Sequence, residues 1–178
     1  MARQIDSGYY ERLLLSNGKA PSAIESKDMT GVLRDMYMLE FLDLPEPYKE
    51  YDLKKAILKN MKNFLLEFGR DFIFIDEEYQ VQVGNNDYYV DLLFYHRELQ
   101  CLVAIDLKID DFKPEYMGKM DFYLEALDRD IKKPHENPSV GMILCKNADT
   151  DVVEYSLSRS LSQTMIAEYK TKLIDKSI

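Results

Sequence analysis

This chain of 178 residues contains no tryptophan, only two cysteines, and no apolar run near the roughly 20 residues that a membrane-spanning helix requires. Its first residues lack the pattern of a secretory signal peptide, so we expect a cytoplasmic protein without a membrane segment. Cys101 and Cys145 lie in apolar, strand-like runs and lack Cys-x-x-Cys spacing. This placement argues against a zinc site and predicts two reduced thiols in the core.

An excess of basic residues is also missing, because the net charge is −9. A strongly acidic chain is not expected to bind nucleic acid broadly, since affinity for phosphates depends on Lys and Arg. The average hides an asymmetry: residues 49–70 hold six basic and three acidic side chains, whereas residues 71–100 hold one basic and seven acidic ones. Any contact with nucleic acid should therefore begin on the basic segment. A solvated helix face is the alternative.

The order of elements predicts an α/β (α+β) fold with a central mixed sheet, in which an antiparallel meander is flanked by helices. Residues 1–48 have a helical apolar spacing and end at a Pro-Glu-Pro break, so we expect a helical N-terminal segment there and a second domain over 49–178. Within that domain we expect a helix over 52–68, begun by Asp52 and stopped by Gly69. The remaining predicted elements are strands 72–75, 79–83, 88–95 and 101–109, a helix from 114 to about 130, strand 140–145, a helix over 151–158 and a closing strand over 165–169.

Charged residues interrupt two of the predicted strands. Asp91 lies in one apolar run, and Asp106 and Lys108 lie in the next. Because side chains alternate between the faces of a sheet, Asp106 and Lys108 point to the same side, where two carboxylates and one ammonium converge. Burying an unpaired carboxylate costs several kcal/mol, so the cluster must be paired, metal-bound or both. The spacing alone fits two alternatives equally well: a divalent-metal phosphodiesterase site, and a buried ion-pair network that has no catalytic role.

Four segments, at residues 64–69 (FLLEFG), 91–96 (DLLFYH), 101–108 (CLVAIDLK) and 112–120 (FKPEYMGKM), resemble the YhcG family of bacterial PD-(D/E)XK nuclease proteins. The similarity covers roughly residues 50–172. Residues 4–12 and 38–44 resemble the family's junction between an N-terminal helical domain and the nuclease domain. The resemblance implies a restriction-endonuclease-like core, with residues 1–48 as a remnant of the N-terminal domain and its linker.

The resemblance also implies a function, namely metal-dependent cleavage of DNA. Asp91 and Asp106, with the backbone carbonyl of Leu107, would hold Mg²⁺ or Mn²⁺ through hard oxygen ligands. Lys108 would orient or deprotonate the attacking water and offset charge in the transition state. DNA is the expected partner, and three lysines are expected to contact it: Lys54, Lys55 and Lys119.

Three residues depart from the family pattern. Asp106 stands where Glu is usual, Lys54 where the first helix usually contributes Glu, and Lys119 where the second helix usually carries Gln. At about 5 Å and an effective dielectric constant of about 20, each added cation opposes each positive charge of a metal by about 3 kcal/mol. The alternative is therefore a pseudonuclease, with an ion-paired relic of the site, that binds DNA or a partner protein without cleavage. A further alternative is a homodimer formed through the apolar segment 29–44.

Overall fold

The computed structural model describes residues 33–171, which form one six-stranded sheet with helices packed on both faces. The helices α1 and α2 cover one face, and α3 covers the other. The elements in chain order are β1 Met36–Leu39, α1 Glu50–Lys59, α2 Met61–Phe68, β2 Phe72–Val83, β3 Asn86–His96, β4 Cys101–Leu107, α3 Glu115–Ala126 with a π-helical turn Leu127–Ile131, β5 Asn137–Cys145, α4 Thr150–Leu157 and β6 Thr164–Thr171.

The strands lie in the order β1-β6-β5-β4-β3-β2. The strands β1, β6, β5 and β4 run parallel, whereas β4, β3 and β2 form an antiparallel meander. This arrangement confirms the predicted mixed sheet with an antiparallel meander and flanking helices. Every residue of β4 is buried, as expected for a central strand that is covered on both faces. A charged residue in β4 is therefore held inside the domain.

The helical prediction for the N-terminal segment is wrong at Met36–Leu39, which forms strand β1 beside β6. Tyr37 and Leu39 are fully buried while Met38 points outward, so the alternation of a strand replaces the helical spacing. Leu33, Tyr37, Leu39 and Leu42 of this region lie in the domain's own core, whereas Met38 is 42% exposed, and the homodimer stays a prediction. Residues 1–32 of the predicted segment lie outside the described residues, and the division at residue 48 stays a prediction.

The single helix predicted over 52–68 is two helices, α1 and α2, separated at Asn60. The side chain of Asn60 donates a hydrogen bond to the carbonyl of Ala56 at 2.9 Å, and this local bond competes with a continued helix. Helix α1 begins after Lys49, whose backbone N–H donates to Asp52 Oδ2 at 2.9 Å, so Asp52 stabilises the start from inside the helix. Gly69 ends α2 with φ 133°, as predicted.

The strands predicted over 72–75 and 79–83 are one long strand, β2, with a shift of register between Phe74 and Asp76. The thiols of Cys101 and Cys145 are free and buried, as predicted, and burial raises the pKa of each to about 12. His96 is a satisfied core histidine, since its Nδ1 accepts a hydrogen bond from the Leu99 N–H at 3.1 Å. None of the helices in residues 33–171 has the length and apolar character needed to span a membrane.

Candidate active site

The two predicted carboxylates stand on neighbouring strands. The register of β3 and β4 pairs Leu92 with Ile105, so Asp91 and Asp106 come next along the two strands. The backbone N–H of Leu107 donates to Asp91 Oδ2 at 2.9 Å, which ties the Asp91 carboxylate to the end of β4. The sheet thus brings together two side chains that are separated by a hairpin in the sequence.

Asp106 is the most confined charged group of the site, with only 2% of the residue exposed. Both of its carboxylate oxygens are buried, and neither has a hydrogen-bond partner among the described residues. Burial, and next the adjacent Asp91 carboxyl group, raise the pKa of Asp106 to about 7, while Lys108 and Lys119 oppose the shift. A buried carboxyl group without hydrogen bonds is costly unless a proton or a cation satisfies it.

Lys108 completes the predicted cluster on the face of the sheet that α3 covers. Its Nζ lies 3.7 Å from Asp106 Oδ2 and 4.6 Å from the centre of the Tyr116 ring. The Tyr116 hydroxyl donates to Asp110 Oδ2 at 2.7 Å, which fixes the ring against the loop after β4. The ammonium is therefore shared between a carboxylate and an aromatic face, with one side directed at the carboxylate pair.

The backbone of Lys108 is held from the rear of the sheet. Its N–H donates to the carbonyl of Leu144 at 2.9 Å, and its carbonyl accepts from the Tyr169 hydroxyl at 3.0 Å. The Tyr48 hydroxyl lies 3.1 Å from the Tyr169 hydroxyl, so a chain of buried phenols continues from the site to the loop before α1. Sequence patterns gave no sign of this support, because the bond from Tyr169 to Lys108 spans 61 positions.

The lysines at the rim have different surroundings. Lys119 is exposed, its Nζ lies 5.6 Å from the centre of the Tyr123 ring, and its charge reaches Asp106. Burial, and next the charges of Asp106 and Asp91, raise the pKa of Tyr123 to about 12, so Tyr123 stays a neutral phenol beside the carboxylates. Lys55 is also exposed, with its Nζ 5.9 Å from the centre of the Tyr51 ring.

Lys54 pairs with Glu78 of β2 rather than with Asp91 or Asp106. Sequence reasoning missed Glu78 as the partner of Lys54, from which it is separated by 24 positions in the chain. The backbone of Glu78 has φ 45°, a conformation that L-residues rarely adopt and that no sequence pattern here indicated.

The chemistry of these donors fits a divalent cation in one respect. The unpartnered oxygens of Asp106, beside the Asp91 carboxylate, are hard ligands of the kind that Mg²⁺ and Mn²⁺ prefer. Within residues 33–171, no group of three or more His, Cys, Asp or Glu side chains is arranged to hold a metal ion. A metal at this position would therefore rely on two carboxylates together with backbone carbonyl and water oxygens.

Comparison with known proteins decides the family. Residues 30–177 match the model of the YhcG PDDEXK nuclease domain. The chain belongs to this family. A YhcG-family relative, the putative nuclease YhcG of Escherichia coli (strain K12), is 34% identical over 183 aligned residues, which cover 99% of this chain and 48% of the relative. The chain thus spans about half the length of that curated relative.

Two solved structures are similar at low identity. The crystal structure of a repair endonuclease from Pyrococcus abyssi gives a TM-score of 0.46 at 15% identity, over 68% of this chain and 47% of that chain. The structure of an EndoMS–dsDNA complex gives a TM-score of 0.39 at 13% identity, over 64% of this chain and 43% of that chain. The family match identifies the core as restriction-endonuclease-like, and it includes every residue of the site described above.

Proposed function

We propose that this domain is a Mg²⁺- or Mn²⁺-dependent DNA endonuclease whose catalytic residues are Asp91, Asp106 and Lys108. The observation that carries the proposal is the buried Asp106 carboxyl group, which has no hydrogen-bond partner among the described residues and lies between Asp91 and Lys108. Membership of a PD-(D/E)XK nuclease-domain family supports the same reaction class.

The residues suggest how the reaction proceeds. Asp91, Asp106 and the carbonyl of Leu107 would hold the cation, which when bound supplies positive charge beside the scissile phosphate. Lys108 donates a hydrogen bond that orients the attacking water and offsets charge on the phosphate oxygens. The water oxygen bonds to phosphorus, one phosphorus–oxygen ester bond breaks, the water releases a proton to solvent, and the leaving oxygen takes a proton from solvent. Lys119 and Lys55, both exposed, are placed to contact the DNA backbone.

A pseudonuclease is the second candidate, and the arrangement of cations favours it. Lys108 lies 3.7 Å from Asp106, and the charge of Lys119 also reaches that carboxylate. Together with a shared proton, these ammonium groups would satisfy the carboxylate pair without metal. The domain would then bind DNA or a partner protein through the same face without cleaving it.

Calorimetric titration of Mg²⁺ and Mn²⁺, combined with nicking of supercoiled DNA in the same samples, separates the two functions. We expect metal binding and nicking in the unchanged protein, and loss of both in Asp91→Ala. The matched control is Asp87→Ala, which removes an exposed carboxylate from the same strand and should behave as the unchanged protein. No metal binding at millimolar concentration and no nicking would refute the endonuclease and favour the pseudonuclease.

A further inference from the structure

Glu78 stands in a row with the two carboxylates of the proposed site. The register of β2 and β3 pairs Glu77 with Leu92 and Tyr79 with Val90, so Glu78 lies across from Asp91. Asp91 in turn lies across from Asp106 on the other side of β3. Three acidic residues therefore occupy successive strands at one level of the sheet, and Glu78 is the member on the edge strand.

The backbone at Glu78 departs from strand geometry. Its φ of 45° lies in the left-handed region, which costs a non-glycine residue on the order of 1 kcal/mol and persists where surrounding contacts hold it. The register shift between Phe74 and Asp76 lies just before it on the same strand. The contact that accompanies this conformation is an ion pair between the Glu78 carboxylate and the ammonium of Lys54 on α1.

The two partners of this ion pair differ in exposure. The Lys54 side chain is only 13% exposed, whereas that of Glu78 is 46% exposed. A largely buried ammonium needs a counter-charge, and the carboxylates nearest in the row beyond Glu78 are Asp91 and then Asp106. Because Glu78 lies across from Asp91, Asp91 is the next carboxylate in the row on which the positive charge of Lys54 can act when Glu78 is absent. Lys108 and Lys119 already act on that pair.

We propose that Glu78 is a positioning residue that neutralises Lys54, and thereby preserves the cation affinity of the Asp91–Asp106 pair. The inference rests on the proposed function, because it assigns a cation to that pair. Glu78 acts through Lys54 and does not itself touch the cation. Its effect must therefore depend on the presence of a charge at position 54.

A double-mutant cycle tests this dependence, with Mn²⁺ affinity measured by calorimetry in Glu78→Gln, Lys54→Met and the double variant. We expect Glu78→Gln to weaken Mn²⁺ binding about tenfold, since it frees one cation near the pair. Lys54→Met should bind Mn²⁺ as tightly as the unchanged protein or more tightly. The double variant should match Lys54→Met. Glu77→Gln, which removes the neighbouring carboxylate that does not pair with Lys54, is the control and should change affinity less than twofold.

Two results would overturn the inference. Equal behaviour of Glu78→Gln and Glu77→Gln would mean that the ion pair has no influence on the site. A loss of affinity in Glu78→Gln that persists in the Lys54→Met background would mean that Glu78 acts on the cation directly. Thermal unfolding without metal shows whether each variant is folded before its affinity is compared.

A measurement without metal separates this inference from the proposed function. Denaturant unfolding without metal should show that Glu78→Gln lowers the free energy of unfolding in the unchanged protein and does not lower it in the Lys54→Met background, because Glu78 compensates the charge of Lys54. If this pattern appears but no protein binds Mn²⁺, the proposed function fails while the charge compensation by Glu78 stands. If the unchanged protein binds Mn²⁺ and Glu78→Gln alters neither affinity nor stability, only the inference about Glu78 fails.

Discussion

The two faces of the sheet carry different chemistry although the same strands supply both. Against α1 and α2, the buried side chains are aliphatic and aromatic, with rings that stack or meet edge to face around Phe64, Phe68 and Phe94. Against α3, the buried layer includes Asp106 and Lys108 beside two tyrosines. The first face is packed as a source of stability, whereas the second holds a carboxylate that has no hydrogen-bond partner within residues 33–171. The sheet therefore separates apolar packing from charged groups by the alternation of side chains along single strands.

Phe94→Ala should give the largest effect on stability and the smallest on the site. Phe94 is fully buried on the aromatic face, with Phe64, Phe72 and Phe74 rings at 5.5–5.9 Å between centres. Its removal leaves a cavity and should lower the free energy of unfolding by about 3–5 kcal/mol. Denaturant unfolding measures the loss. Mn²⁺ affinity of the folded fraction should be unchanged, and a parallel fall in affinity would show that the two faces are not separate.

Asp106→Asn should change stability by an amount that depends on pH, because it removes a titratable group from the polar face. Burial and the adjacent Asp91 raise the pKa of Asp106 to about 7 in the folded protein, whereas an unfolded Asp titrates near 3.9. Below pH 4 the group is protonated in both states, and its contribution to stability is complete. As the pH rises toward 7, the unfolded state releases the proton first, so the contribution falls by on the order of 3 kcal/mol.

Unfolding of the metal-free protein between pH 4 and 8 measures this difference. The unchanged protein should lose stability relative to Asp106→Asn across that interval, while Mn²⁺ affinity should rise, because the metal competes with the same proton. Parallel stability curves for the two proteins would show that the pKa of Asp106 is not raised in the folded protein. The two faces would then not differ in their electrostatics.

Gly141→Ala tests how closely α3 approaches the sheet on the polar face. A Cβ at position 141 of β5 would lie 2.6 Å from Met120 Sδ, closer than real contacts allow, and 3.3 Å from Leu124 Cδ1, which is a tight contact. Because Met120 is fully buried, it has little room to move, and we expect a loss of about 1–3 kcal/mol in thermal or denaturant unfolding. Gly118→Ala on α3 is the control: its Cβ would have no neighbour within 4 Å, and better helix propensity should stabilise the protein by about 0.5–1 kcal/mol.

Local sequence patterns were sufficient to predict most of the antiparallel meander and the proximity of Asp91, Asp106 and Lys108. Alternation put Asp106 and Lys108 on one face, and the hairpins between charged strands brought Asp91 beside them. Patterns failed at β1, where the spacing of Met36 and Leu39 suggests a helix but pairing with a strand about 130 residues later decides the structure.

Sequence patterns also failed to predict the contacts that hold Lys54 and Lys108 in place, because these contacts join residues that are far apart in the chain. Glu78, which pairs with Lys54, has a left-handed backbone conformation inside a strand of ordinary polar composition. No local sequence pattern predicts this conformation or the ion pair. The buried tyrosines that hold Lys108 come from the loop before α1 and from the last strand. Such contacts depend on the assembled sheet, so alternation and capping signals carry no information about them.

Tyr169→Phe should give the smallest change in stability. It tests the hydrogen bond by which a tyrosine of the apolar face contacts the backbone of Lys108. The substitution removes the hydroxyl that donates to the Lys108 carbonyl at 3.0 Å and leaves the ring in its apolar surroundings, so we expect a loss of about 1 kcal/mol in denaturant unfolding. Because the lost bond holds the backbone of Lys108, nicking should fall several-fold while Mn²⁺ affinity changes little. Tyr48→Phe is the control, since it removes the neighbouring phenol but leaves the bond to Lys108 intact. Equal losses of nicking in both variants would show that the tyrosines contribute only to packing, whereas a loss confined to Tyr169→Phe would mean that the stable face positions Lys108, the proposed catalytic lysine, through its backbone.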